Sequence, residues 1–206
     1  LLNINPGDLV VIVYGEDRIR DATLIAMVFE RLGHFSYGIL EGGFDKWASE
    51  GRPVSNELPA GGKSNYTSVQ EADRFTLGYR EVLQFVNTKS AIILDVRPAD
   101  YFNGKKSDEA RAGHIPGAVN RDFKNDLEKH DRFVSFKSAQ VLEPIYAGLI
   151  PTKNHSVVVH CRTGHQASQT FFVLKNLLQY QNVFWYDAGW TEWASRKELP
   201  IATDAG

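Results

Sequence analysis

At 206 residues the chain has room for one large domain or two small ones. Its hydrophobic content of 43% and charged content of 23% suit a globular protein, and a formal charge of -2 with no basic block argues against nucleic acid as a partner. No run approaches the roughly 18 apolar residues of a membrane helix, and "LLNINPGDLV" carries no signal-peptide pattern. A cytoplasmic location without a membrane partner is therefore expected, with the periplasm as the alternative.

In chain order, the first strand signal is "VVIV" (10–13). It leads through a loop, a helix and a second strand to "EGGFDKWAS" (41–49), which reads as a helix. The stretch "EGRPVSNELPAGGKSNYTSVQ" (50–70), rich in Pro, Gly, Ser and Asn, reads as a linker. Beyond it, a helix is predicted near 77–88. "AIILDV" (91–96) follows as a nearly continuous apolar run, of the kind that suits a strand buried on both faces. A helix near 137–149 precedes a second such run, "SVVVH" (156–160). In "QASQTFFVLKNLLQ", Phe171, Leu174, Leu177 and Leu178 fall on one helical face. "NVFWYD" (182–187) reads as a further strand, and a last helix is expected around 190–196. Strands alternating with helices at this rhythm predict an α/β class, a parallel sheet flanked by helices.

The chain also repeats itself. "EGGFDKWAS" matches "DAGWTEWAS" (187–195) at an offset of 146, and the same offset pairs Leu32 with Leu178 and "VVIV" with the valines before Cys161. The predicted organisation is a first copy over 1–54, a linker over 55–72 and a second copy over 73–206. Residue 1 corresponds to position 147, so the first copy lacks a counterpart of about 73–146. A preceding segment or a second chain is expected to complete its sheet.

The single cysteine, in "VVVHCRTGHQAS" (157–168), stands where a strand should end and a helix begin. One cysteine excludes an intrachain disulfide and a cysteine-rich zinc site, and "HCRTGH" fits no zinc spacing, so no metal is expected. Three features should lower the Cys161 pKa and favour an anionic ligand. They are the orphan N–H groups of the following helix, a loop that Gly164 lets curl around an anion, and the charge of Arg162. The bland alternative is a small buried hydrophobe.

"LDVRPADYF" (94–102), "GHIPGAVN" (113–120), "CRTGHQA" (161–167) and "YDAGWTEWAS" (186–195) together resemble the two-domain rhodanese family of sulfurtransferases. The resemblance spans nearly the whole chain. It implies that Cys161 carries a persulfide, taking sulfane sulfur from thiosulfate and passing it to cyanide or a thiol, without metal or organic cofactor. Arg162, Thr163, Gly164, His165 and Gln166 would bind the substrate, Arg111 would contact the donor anion, and Asp95 with Arg97 would support the loop through an ion pair. His160 is expected to hydrogen-bond within the fold, and Trp190 and Trp193 to serve in packing. Relatives often carry arginine where this chain has Gln166, while Arg162 and Thr163 resemble the thiosulfate branch more than the mercaptopyruvate branch. In the first copy Gly15 stands in place of Cys161, followed by Glu16 and Asp17, which predicts a silent, structural copy. The competing readings are a mercaptopyruvate enzyme, a non-catalytic binding or redox-sensing module, and a phosphatase. The last would need an arginine where Ala167 stands.

Overall fold

A computed structural model describes residues 3–57, 61–67 and 73–203. The chain runs β1 (Val10–Ile12), α1 (Ile19–Arg31), β2 (Tyr37–Ile39), α2 (Gly43–Ser49), α3 (Tyr79–Thr88), β3 (Ala91–Asp95), α4 (Ala99–Phe102) and β4 (Val119–Asn120). After a 3-10 turn at Phe123–Asp126 come β5 (Leu127–Lys129), β6 (Val134–Phe136), α5 (Ala139–Ala147), β7 (Ser156–His160) and α6 (His165–Phe172). A π-helical turn (Val173–Leu177), β8 (Val183–Tyr186) and α7 (Gly189–Ser195) complete the order.

Two compact units result. One comprises 1–74 together with 128–136, the other 75–127 together with 137–206. In the first, β1 pairs with β2 in parallel, Val11 opposite Gly38. Helix α1 buries Ile19, Ala22, Ala26 and Met27, spaced for one face of a helix, and its Glu30 carboxylate accepts the Tyr37 hydroxyl at 2.7 Å. Val11 and Val13 stay about half exposed, and among the described residues β1 has β2 as its one paired neighbour. The structure departs from the sequence reading at 128–136, which reads as part of the second copy but joins the first unit. The Tyr14 hydroxyl donates to the Val134 carbonyl at 2.7 Å, and the Lys46 ammonium lies 5.7 Å from the centre of the Phe133 ring. Such contacts between residues 120 apart leave no local trace in sequence. The predicted 55–72 linker is exposed coil where described, except for half-buried Tyr66; 58–60 and 68–72 lie outside the described residues.

The second unit holds a fully parallel sheet of order β4–β3–β7–β8. In register, Ile93 faces Val158 and Val158 faces Phe184. Val157, Val158 and Val159 are completely buried, because β7 is central and helices cover both sheet faces; each such burial contributes about 1.5–3 kcal/mol. Val82, Ile93, Ile115, Val158, Tyr186, Trp190 and Trp193 form one core cluster. The predicted helical face after Cys161 needs correction at one position. Phe171, Leu174 and Leu178 are buried, but Leu177 is 36% exposed. The helix widens into a π turn from Val173, which inserts an extra residue and rotates Leu177 off the apolar stripe.

Candidate active site

The central strands β3 and β7 end side by side at Asp95 and His160, which pair in register. Crevices beyond the carboxyl ends of parallel strands are the usual ligand sites of such sheets. Here the residue after β7 is Cys161.

The turn from β7 into α6 depends on Gly164. Its φ is +80°, and a Cβ there would collide with a carboxylate oxygen of Asp187 and lie 2.8 Å from the Trp185 ring. The Trp185 indole N–H donates to the Gly164 carbonyl at 3.2 Å. With the turn fixed, the backbone amides of Thr163, Gln166 and Ala167 are placed to favour negative charge on the Cys161 sulfur. Gln166 and Ala167 contribute orphan donors of the first turn of α6, and Thr163 adds the amide of the loop just before its N-cap Gly164. A second helix end grips the same loop from the other side. The Trp190 N–H donates to the Cys161 carbonyl at 2.9 Å and the Thr191 N–H to the Arg162 carbonyl at 3.1 Å.

The expected lowering of the Cys161 pKa is overturned. Burial pushes the thiol up, the three amides oppose it only in part, and the net direction is upward. The side chain is 1% exposed, and desolvation of a thiolate that deep outweighs the amide dipoles. Nor does Arg162 supply its charge to the sulfur, because its Nε donates to the Glu109 carboxylate at 2.7 Å. The Thr191 hydroxyl donates to the same Glu109 oxygen at 2.7 Å. Burial pushes the Glu109 carboxyl up, but the hydrogen bonds from Arg162 and Thr191 win, and the group is held below the usual carboxylate range.

Beneath the loop, the Arg97 guanidinium clasps Asp95 with Nη2 at 2.6 Å and Nε at 3.0 and 3.1 Å. Nη2 also donates to the Gly113 carbonyl at 2.8 Å, and the guanidinium lies 4.6 Å over the centre of the Trp190 ring. Both charged side chains are buried, so the pair is a fixed support for the strand ends. The His160 Nδ1–H donates to the Cys161 carbonyl at 3.2 Å, while Nε2 stops 3.7 Å from Asp95. Burial pushes the His160 pKa down, against the opposing pull of Asp95.

A pocket of about 180 Å³ opens beside the loop, lined among others by Arg97, Tyr101, Glu109, Arg162, Gln166 and Trp190. That is small against the usual 300–1,000 Å³ of organic ligand sites and suits a compact ion. Thr163 is exposed and contributes its amide; His165 is the half-buried first residue of α6 and does not line this pocket. Arg111 is not at the pocket either. Its guanidinium donates to the carbonyls of Trp193, Ala194, Arg196 and Leu199 at 2.5–2.9 Å. With four of its five N–H donors on carbonyls at and just beyond the end of α7, it clamps the 107–111 loop in place. Glu109 was hidden from sequence reasoning inside the charged run "KKSDEARAG". Tyr101 and Thr191 lie within the family-like segments 94–102 and 186–195, and Trp190, read as packing alone, also forms a pocket wall. Among the described residues, no three His, Cys, Asp or Glu side chains are grouped to hold a metal ion. None of the described helices is long and apolar enough to cross a membrane.

Fold and site together define a parallel α/β domain whose candidate nucleophile is a strand-end cysteine cradled by helix amides. The chain belongs to the rhodanese-like domain family, which residues 79–196 match. The protein named sulfur carrier protein TtuD, from Thermus thermophilus, is 33% identical over 209 residues, covering 95% of this chain and 72% of its own. A protein named thiosulfate sulfurtransferase, from Corynebacterium glutamicum, is 34% identical over 206 residues, covering 95% and 67%. The fold is shared with the anaerobic ergothioneine biosynthesis enzyme from Chlorobium limicola, solved in complex with trimethyl histidine, at a TM-score of 0.83 and 20% identity. All of this chain is covered there but 53% of that enzyme, so the chain spans about half its length.

Proposed function

We propose that the chain is a sulfurtransferase that moves sulfane sulfur from thiosulfate to a thiophilic acceptor through a persulfide on Cys161. The observation that carries this reading is the convergence of three backbone amides on the sulfur of the sole cysteine. The small pocket beside it and the relatives named for thiosulfate sulfur transfer support it.

In the first step Cys161 loses its proton to water, and the thiolate attacks the outer sulfur of thiosulfate. A new S–S bond forms, the S–S bond of thiosulfate breaks, and sulfite leaves with the electron pair. The Thr163, Gln166 and Ala167 amides stabilise the charge on the transferred sulfur, a preorganised set of donors acting where water is excluded. In the second step cyanide or a thiolate attacks the outer sulfur of the persulfide, and Cys161 leaves as thiolate. Gln166, at the pocket wall, offers an uncharged hydrogen-bond donor to the sulfonate. Arg162 and Thr163 after the cysteine favour thiosulfate over mercaptopyruvate. The Asp95–Arg97 pair is a positioning element.

Residues 1–54 are read as the half of an inactive rhodanese-like domain. Support comes from the order β1–α1–β2–α2, which parallels β7–α6–β8–α7, and from Gly15 at the position matching Cys161. A second reading, favoured by the relative named a sulfur carrier, keeps the persulfide and makes the chain a carrier of that sulfur.

Intact-mass spectrometry after thiosulfate and then cyanide tests the proposal on the wild type and Cys161→Ser. One sulfur gained by the wild type alone and removed by cyanide is the expected result. A gain with mercaptopyruvate and not with thiosulfate would reassign the donor, and no gain with either would leave a binding module.

A further inference from the structure

The Arg162–Glu109 pair lies at the mouth of the pocket, and three connections hold it there. Glu109 accepts from the Arg162 Nε and from the Thr191 hydroxyl, both at 2.7 Å, and the Thr191 N–H donates to the Arg162 carbonyl at 3.1 Å. The result is a closed ring joining the 107–111 loop, the cysteine loop and the start of α7. Arg111 fastens the same 107–111 loop to the other end of α7 through four carbonyls. Glu109 is therefore a carboxylate fixed in place, with its side chain 14% exposed, whereas the Arg162 side chain is 51% exposed. The other pocket cation, Arg97, is committed to buried Asp95. With Asp108 also on the wall, the two lining arginines meet two lining carboxylates, and buried Asp95 already neutralises Arg97. A site meant to attract a dianion would be expected to present the opposite balance.

We propose that Glu109 is a specificity-determining residue that pairs with Arg162 at the pocket mouth and so disfavours doubly charged sulfur donors against singly charged ones. The inference rests on the sulfur-transfer reading and deepens it by naming the donor class. A singly charged thiosulfonate reacts as thiosulfate does: the Cys161 thiolate bonds to its terminal sulfur, the S–S bond breaks, and sulfinate leaves with the electron pair. Because Arg162 is half-exposed its pair with Glu109 is weak enough to open, so thiosulfate still enters, at a penalty.

The test is kcat/KM of persulfide formation with thiosulfate, a dianion, and with methanethiosulfonate, a monoanion, in the wild type, Glu109→Gln and Glu109→Asp. Glutamine keeps the acceptor for Thr191 and removes the charge. The thiosulfate-to-methanethiosulfonate ratio is expected to rise on the order of fivefold in Glu109→Gln, the scale of one like-charge contact at about 4 Å in a fully hydrated setting. Glu109→Asp is expected to stay within about twofold of wild type, since its charge is kept. A merely structural role for Glu109 would slow both donors together and leave the ratio unmoved, which would overturn the inference. Salt provides a reading that needs no variant. The wild-type rate with thiosulfate should rise with ionic strength more steeply than that with methanethiosulfonate, and a fall would overturn the inference even if Glu109→Gln did not fold. Persulfide from neither donor in the wild type would instead defeat the sulfur-transfer reading, and this inference with it.

Discussion

Gly189 lies directly against the carbonyl of Cys161: a Cβ at position 189 would stand 2.5 Å from that oxygen and 2.7 Å from the Arg162 carbonyl. The absence of a side chain lets the first turn of α7 reach the cysteine loop and donate two amides to it. The Gly–Trp box is thus part of the site's construction, although it carries no reacting group.

Gly189→Ala is expected to destabilise the protein and to slow sulfur uptake by Cys161. Its φ of +54° adds backbone strain of about 1–3 kcal/mol to the clash. Urea denaturation with mass-detected persulfide formation checks both, and a variant as stable and as reactive as wild type would refute the account.

Removing Arg111 should act on stability first. Arg111→Lys cannot serve four carbonyls with a planar fork, and a loss on the order of 3 kcal/mol is expected from donors stripped off a partly buried helix end. Thermal unfolding measures it. A large rise in the KM for thiosulfate at unchanged stability would restore Arg111 as a donor contact.

Asp95→Asn leaves the buried Arg97 guanidinium without its counter-charge. Breaking one side of such a pair costs about 3–5 kcal/mol. Denaturant midpoints for Asp95→Asn and wild type settle the matter, and a loss below about 1 kcal/mol would show that the pair is better solvated than its burial implies.

The rate of persulfide formation should climb with pH across the neutral range and keep climbing past the ordinary thiol value. Burial raises the Cys161 pKa, so the thiolate fraction is smaller than that of a free cysteine at every pH below it. His160, pushed down by burial, adds no acidic limb near neutrality. A rate already level at neutral pH would mean that the amides outweigh burial after all.

The apolar runs over β3, β7 and β8, the helices that follow β7 and β8 and the cysteine at a strand end were legible from the sequence, because local composition and period fix them. So was the partnership of Asp95 with Arg97, two residues apart at one strand end. The protonation of Cys161 was not. Sequence displays the neighbours that stabilise a thiolate, but how far the sulfur is from water depends on the fold around it, and desolvation prevailed. Arg111 and Glu109 exchanged importance for the same reason. Each lies about 80 residues from its partners on α7, and only the folded chain decides which of two nearby charges spends its hydrogen bonds on backbone and which reaches the pocket. The attachment of 128–136 to the first unit likewise came from packing between distant segments. Sequence determined the elements and the candidate nucleophile; tertiary structure decided burial, pairing and charge balance, which are properties of neighbours in space.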